Sequence, residues 1–227
     1  MNEARTNKLP TPTHHCSWAG STIPMQDYHD QERGAPLFDS RALWGKLMLD
    51  GFQAGLSWSI ILRKRESFLK AFHNFGPEIV ARFTEKDILR LTQDGGIVRA
   101  RAKIEATIGG ARAILTTQNS SENFSSLIWN IASGKPIQHT GPVPTQTSLS
   151  LEKSNTLQKQ SFKFVGPVIV YAWMQAVGIT NGPAETCFRR KQVQLKYPVK
   201  RVARETIAPP NTIQSLVSRN PAISSRK

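Results

Sequence analysis

Leu47-Met48-Leu49-Asp50-Gly51-Phe52-Gln53-Ala54-Gly55-Leu56-Ser57-Trp58 is the stretch whose reading decides the fold. It is mostly apolar, with one carboxylate, one amide and one hydroxyl. Residues three or four apart share a helix face, so Asp50 and Gln53 point the same way. Upstream, Leu43, Trp44, Leu47 and Met48 repeat at helical spacing, and Asp39 or Ser40 can cap a helix running from about Arg41 to Phe52. Gly55 can end it, and Ser57 can cap a second helix from Ser57 to about Phe72. Trp58 falls in the first turn of that second helix. Two readings stand side by side. A buried acid and a large indole at a helix corner suit a pocket for a flat ring. The same residues also suit a plain core tryptophan and a solvated or capping aspartate.

The rest of the chain is read outward from this corner. Pro77 opens a short helix ending near Phe83, and Thr84 with Asp87 forms a variant capping box for the next. Asp94-Gly95-Gly96 breaks that helix, and another runs from about Ala102 to Leu115. Ser121 to Ala132 is helical, Gly134 to Ser148 a surface loop, and Leu149 to Gln160 a modest helix. Phe162 to Val177 is a buried helix opened near Pro167. Met25 to Gly34 reads as an ordered loop. No strand set is recognisable, so the expected fold class is all-α. The expected organisation is a disordered lead over 1–13, a helical domain over 14–190 and a basic, disordered tail over 191–227.

Charge narrows the function. Among 227 residues, 30 Lys and Arg face 16 Asp and Glu, for a formal net charge of +14. Such an excess favours a polyanion, nucleic acid or an anionic membrane surface. No apolar run is long enough to span a bilayer. The first fifteen residues lack the apolar centre of a secretory signal. Cys16 and Cys187 are too few for a disulfide scaffold, so a reducing, cytoplasmic setting is the expectation; a monomer is expected as well.

Three groups can carry chemistry. Gly95 and Gly96, flanked by Arg99, Arg101 and Lys103, form a glycine turn between helices. Unpaired N–H groups and a helix N-terminus bind phosphate, as in a helix-hairpin-helix clamp on the DNA backbone; a plain connection with glycine C-caps fits too. Cys16, His29 and Cys187 offer thiol and imidazole ligands suited to zinc, or are two inert buried thiols and a loop histidine. Trp18, Tyr28 and Trp58 with Asp50 could stack and hydrogen-bond a flipped nucleobase.

The order of several short motifs goes further. Cys16-x-Trp18, Tyr28-His29-Asp30-x-Glu32-x-Gly34, Gln53-Ala54-Gly55-Leu56-Ser57-Trp58, Asp94-x-Gly96-Ile97-x-Arg99, Lys103-Ile104, Phe162-Lys163-Phe164-Val165-Gly166-Pro167 and Met174-Gln175-Ala176-x-Gly178 occur in sequence. Together they resemble the 3-methyladenine DNA glycosylase I family over about Cys16 to Arg190. The resemblance implies an all-α helix-hairpin-helix glycosylase with a structural zinc, which removes 3-methyladenine from duplex DNA in base excision repair. It implies that Trp58 stacks on the base, with Tyr28, Trp18 and Gln53 around it. It implies that Asp50 is the catalytic carboxylate, and that Cys16, His29 and Cys187 are three of four zinc ligands.

The sequence departs from the family at three places. Asp50 stands where the family has Glu, a loss of roughly 1.5 Å of reach. Arg33 replaces a Trp, and an inward-facing cation there would weaken binding of a cationic base. Pro183 replaces the second zinc histidine, leaving His14 or His15 to complete a site, or the zinc lost. With no candidate Schiff-base lysine beside the hairpin, a monofunctional glycosylase is expected. The rival readings are a diverged family member that binds DNA without turnover, and a structural or RNA-binding basic protein.

Overall fold

The structure is a computed structural model, and it describes residues 14–118, 123–138, 141–182, 185–196 and 200–201. Its centre is helix α2 (Ser40–Gln53), reached after a short α1 (Ile23–Asp27). Asp39 caps α2 by accepting from the Ala42 N–H at 2.8 Å. Leu43 to Phe52 holds nine buried residues, with only Lys46 partly open. A helix buried nearly all round must be enclosed by its neighbours. Those neighbours are α3 (Trp58–Ala71), α6 (Arg101–Gln118), α7 (Phe124–Trp129) and α9 (Pro167–Ala176). Trp44, Phe52, Phe68, Phe72 and Trp173 are fully buried there. Each such side chain stabilises the fold by roughly 1.5–3 kcal/mol relative to exposure. The Trp173 indole N–H donates to the Leu43 carbonyl at 3.1 Å, so α9 is fixed to α2 by a polar contact as well.

The remaining helices are α4 (Pro77–Val80), α5 (Glu85–Gln93), α8 (Ser148–Lys159) and α10 (Phe188–Lys196). The Asp87 carboxylate accepts from both the backbone N–H and the hydroxyl of Thr84, as the capping pattern predicts. Ser57 precedes α3 but makes no side-chain cap; its hydroxyl lies 2.8 Å from that of Ser59.

The helical expectation is met in the main and corrected in three places. First, Met25 to Gly34 is not a loop: α1 runs directly into a π-helical turn, Tyr28–Glu32, closed by the Arg33 N–H on the Tyr28 carbonyl at 2.9 Å. Burial of Tyr28 and His29 overrides the polar composition of this segment. Secondly, a small parallel sheet exists. β1 (Ile137–Gln138) pairs with β2 (Thr180–Asn181) and β3 (Lys200–Arg201), in the order β2-β1-β3. Two-residue strands are too short to show a period. The Asn181 side chain donates to that of Gln138 at 3.0 Å, holding the register. Thirdly, α10 runs through the boundary expected at residue 190. Its buried Arg189 donates to the carbonyls of Gln31 and Arg33, and Val193 is buried as well. The lead over 1–13 and most of the expected tail lie outside the described residues.

Gly178 shows how tightly these parts close. Its φ is +75°, and a Cβ there would lie 2.5 Å from the Pro36 nitrogen. Only glycine lets the chain leave α9 against the 34–37 segment. That approach is sealed by hydrogen bonds from Gly34 and Leu37 to the carbonyls of Ala176 and Val177.

Candidate active site

The corner between α2 and α3 opens into a cavity of about 620 Å³, lined by Trp18, Tyr28, Arg33, Asp50, Gln53 and Trp58 among others. That volume suits a small aromatic ligand. All five expected base-site residues therefore meet at one cavity. Asp50 is only 3% exposed, held there because it lies on the central helix. Trp58 is half-buried, and its indole N–H is buried without a hydrogen-bond partner. The rings of Tyr28 and Trp58 are 5.1 Å apart at 43°, and Trp18 follows Tyr28 at 6.3 Å. The wall is thus a run of aromatic faces ending on one carboxylate.

Two cations bear on that carboxylate. The Lys46 ammonium donates to both Asp50 oxygens, at 3.1 and 2.9 Å, and lies 3.6 Å from the Trp58 ring centre. Burial pushes the Asp50 carboxyl upward from its ordinary range, against the opposing pull of Lys46 and then Arg33. Arg33 faces the cavity. Its guanidinium stacks 4.7 Å over the Trp18 ring and donates to the Gln175 side chain at 2.7 Å. Lys46 is absent from the sequence-derived candidates. A Lys four residues before an Asp on one helix was the signal available for it.

Behind this wall, the π-helical turn aims adjacent side chains in different directions. Tyr28 lines the cavity, while His29 is fully buried beside the thiols. The His29 Nε2 lies 3.3 Å from Cys187 Sγ, and ligand atoms of Cys16, His29 and Cys187 lie within 4.8 Å of one another. The other ring nitrogen, Nδ1, is 2.6 Å from Asp30, which fixes the ring's orientation. Burial outweighs the pull of Asp30 and lowers the imidazole pKa, favouring the neutral, ligating form. The second Asp30 oxygen is 3.1 Å from His15 Nε2. His15 is therefore engaged by Asp30, and the His14 carbonyl accepts from the Phe188 N–H. Pro183 lies outside the described residues. Asp30, like Lys46, is a supporting residue that sequence spacing did not single out.

The glycine turn sits between α5 and α6. Gly96 donates to the Asp94 carboxylate at 2.7 Å, and the Gly95 carbonyl accepts from Lys64 at 2.7 Å. A Cβ at Gly96 would lie 3.0 Å from Ser67, so the turn is pressed onto α3. Arg99 is exposed and, among the described residues, unpaired. Arg101 is exposed but forms a two-bond pair with Glu85 and a further bond with Glu105. Lys103 faces the other way: its ammonium donates to the carbonyls of Phe52 and Ala54, at the end of α2. Of the five expected backbone contacts, Gly95 and Arg99 present themselves most openly.

Comparison with known proteins agrees with this arrangement. The methyladenine glycosylase family model matches residues 18–190. A protein of Haemophilus influenzae named DNA-3-methyladenine glycosylase is 42% identical over 179 residues, covering 77% of this chain and 97% of its own. DNA-3-methyladenine glycosylase 1 of Escherichia coli is 43% identical over 176 residues, covering 76% and 94%. A crystal structure of 3-methyladenine DNA glycosylase I superposes with a TM-score of 0.75 at 40% identity, over 77% of this chain and 98% of that one. A Staphylococcus aureus structure described in terms of 3-methyladenine recognition superposes at 0.76 with 33% identity, over 79% and 98%.

Proposed function

Since the chain belongs to the methyladenine glycosylase family, we propose that it releases 3-methyladenine from alkylated duplex DNA by hydrolysis of the glycosidic bond. The observation that carries this reading is the cavity in which the Trp58 indole and the buried Asp50 carboxylate face one space.

Alkylation at N3 leaves adenine cationic in DNA and a good leaving group. The enzyme extrudes the nucleotide into the cavity. Trp58 and Tyr28 supply faces for stacking, Gln53 a donor and acceptor for the ring edge, and Asp50 a charge opposite to that of the base. Water then attacks C1′ as positive character develops on the sugar. Asp50 favours the cationic base over neutral adenine, so selectivity is differential binding. The reaction is monofunctional: it leaves an abasic site with the strand intact.

The turn between α5 and α6 is a helix-hairpin-helix that lies along the phosphate backbone, with Arg99 as its open cation. Cys16, His29 and Cys187 would hold a zinc ion. They are three of the four donors a structural zinc takes: two thiols and a neutral imidazole within 4.8 Å of one another, with the imidazole oriented from behind by Asp30. Bound there, zinc would supply a tether between the π-helical turn and the start of α10, apart from the chemistry.

The test is release of free base from methylated duplex DNA by the purified protein. Wild type liberates 3-methyladenine without cutting the strand in the absence of heat or alkali. Trp58→Ala abolishes release and leaves non-specific duplex affinity nearly unchanged. Duplex binding by wild type without release would instead support a DNA binder that has lost turnover.

A further inference from the structure

Asp50 does not wait in the cavity alone. Lys46 lies one turn before it on α2, grips both carboxylate oxygens, and rests its ammonium on the Trp58 face. A cation is thus already seated against the acid and the indole, the two groups assigned to the cationic base. Lys46 lines a second cavity, of about 440 Å³, whose lining does not include Asp50. Glu32 and Asp39 line it together with Arg41 and Arg65; Glu32 is paired with Arg65 and Asp39 caps α2, so what the cavity offers a displaced ammonium is room.

Resting on the functional reading above, we infer that Lys46 is a positioning residue: a resident counter-ion that keeps Asp50 ionised and aimed until the cationic base takes its place. A carboxyl this deeply enclosed loses its charge if left unpaired. One methylene shorter than glutamate, Asp50 also has little reach to spare, and a two-bond grip holds it in one rotamer. A neutral purine cannot replace the ammonium without leaving Asp50 unbalanced, so the exchange selects for positive charge. The charged and titratable groups facing Asp50 are few. Lys46 comes from its own helix, and Arg33 and Tyr28 from the π-helical segment; α3 presents Ser57, Trp58 and Ser59, and α9 presents Ala172. Arg33 is committed to Gln175 and Trp18, leaving Lys46 as the group in hydrogen-bond contact.

Single-turnover release of 3-methyladenine from methylated duplex DNA tests this from about pH 6 to about pH 9. The proteins are wild type, Lys46→Met, Lys46→Gln and Lys46→Arg, with thermal melting to verify folding. Met fits the same half-apolar channel, and Gln keeps a donor without the charge. Wild type and Lys46→Arg share a flat profile. Lys46→Met and Lys46→Gln are slower by about tenfold or more at the acid end and recover as pH rises, because burial then raises the Asp50 carboxyl without the opposing pull of the ammonium. Binding of the 3,9-dimethyladeninium cation, which keeps the fixed charge that free 3-methyladenine loses, followed by tryptophan fluorescence, gives the same comparison without turnover. A folded Lys46→Met or Lys46→Gln with the wild-type pH profile overturns the inference, as does an Arg variant as defective as Met. Failure of wild type to release base overturns the functional reading instead, and the binding profiles still judge Lys46.

Discussion

The Lys103 ammonium closes the C-terminal end of the helix that carries Asp50, donating to the carbonyls of Phe52 at 2.8 Å and Ala54 at 2.6 Å. A cation on the last carbonyls of a helix satisfies orphan acceptors and complements the dipole. Lys103→Met should therefore destabilise the fold by about 1–2 kcal/mol, read as a lower melting temperature. It should leave the salt dependence of duplex binding unchanged. A salt slope smaller by about one would show instead that Lys103 reaches a phosphate.

Arg99 makes the opposite case. It is exposed beside the glycine turn and has no ion pair among the described residues. Arg99→Ala should weaken duplex binding uniformly across sequences and lower the salt slope by about one. Arg101→Ala should change the slope less, because Glu85 and Glu105 already hold that guanidinium. Equilibrium binding at several salt concentrations separates the two.

The start of α5 carries an acid-sensitive cap. Hydrogen bonds from the Thr84 backbone and hydroxyl to Asp87 hold this carboxyl below its usual range. A depressed folded pKa means stability that is present above the unfolded value and lost as pH falls through the folded one. Asp87→Asn should cost about 0.5–1 kcal/mol at neutral pH. The wild-type advantage should shrink in acid, as denaturant titrations at neutral and acid pH would reveal.

Metal analysis of purified protein should find about one zinc per chain. Cys187→Ser should remove it and lower the melting temperature. Asp30→Asn should keep the metal but weaken it by about 10–100-fold, because the imidazole loses the carboxylate that orients it. Competition with a chromogenic chelator measures both. Metal-free wild type would refute the assignment.

Legibility in the sequence followed the kind of signal each part leaves. The corner between α2 and α3 was readable because a long apolar period, a glycine and a Ser-Trp pair mark it. The meeting of Trp18, Tyr28 and Trp58 came from motif order, since nothing local says that residues thirty or forty apart share a wall. The π-helical turn was hidden, because its polar letters resemble a loop and only burial of Tyr28 and His29 makes it helical. The strands were hidden by their length. Lys103 was read as a surface cation because its neighbours are basic; its partners, two backbone carbonyls, have no sequence signature. Lys46 could have been found from its spacing to Asp50, but such pairs are common on helix surfaces, and only the burial of α2 makes this one consequential.

Tyr28 and His29 are consecutive residues of one turn, and a single peptide unit separates the aromatic wall from the cluster of sulfur and imidazole atoms. The pitch of that one π-helical turn therefore sets the tyrosine and the imidazole together, and neither can be re-aimed without the other.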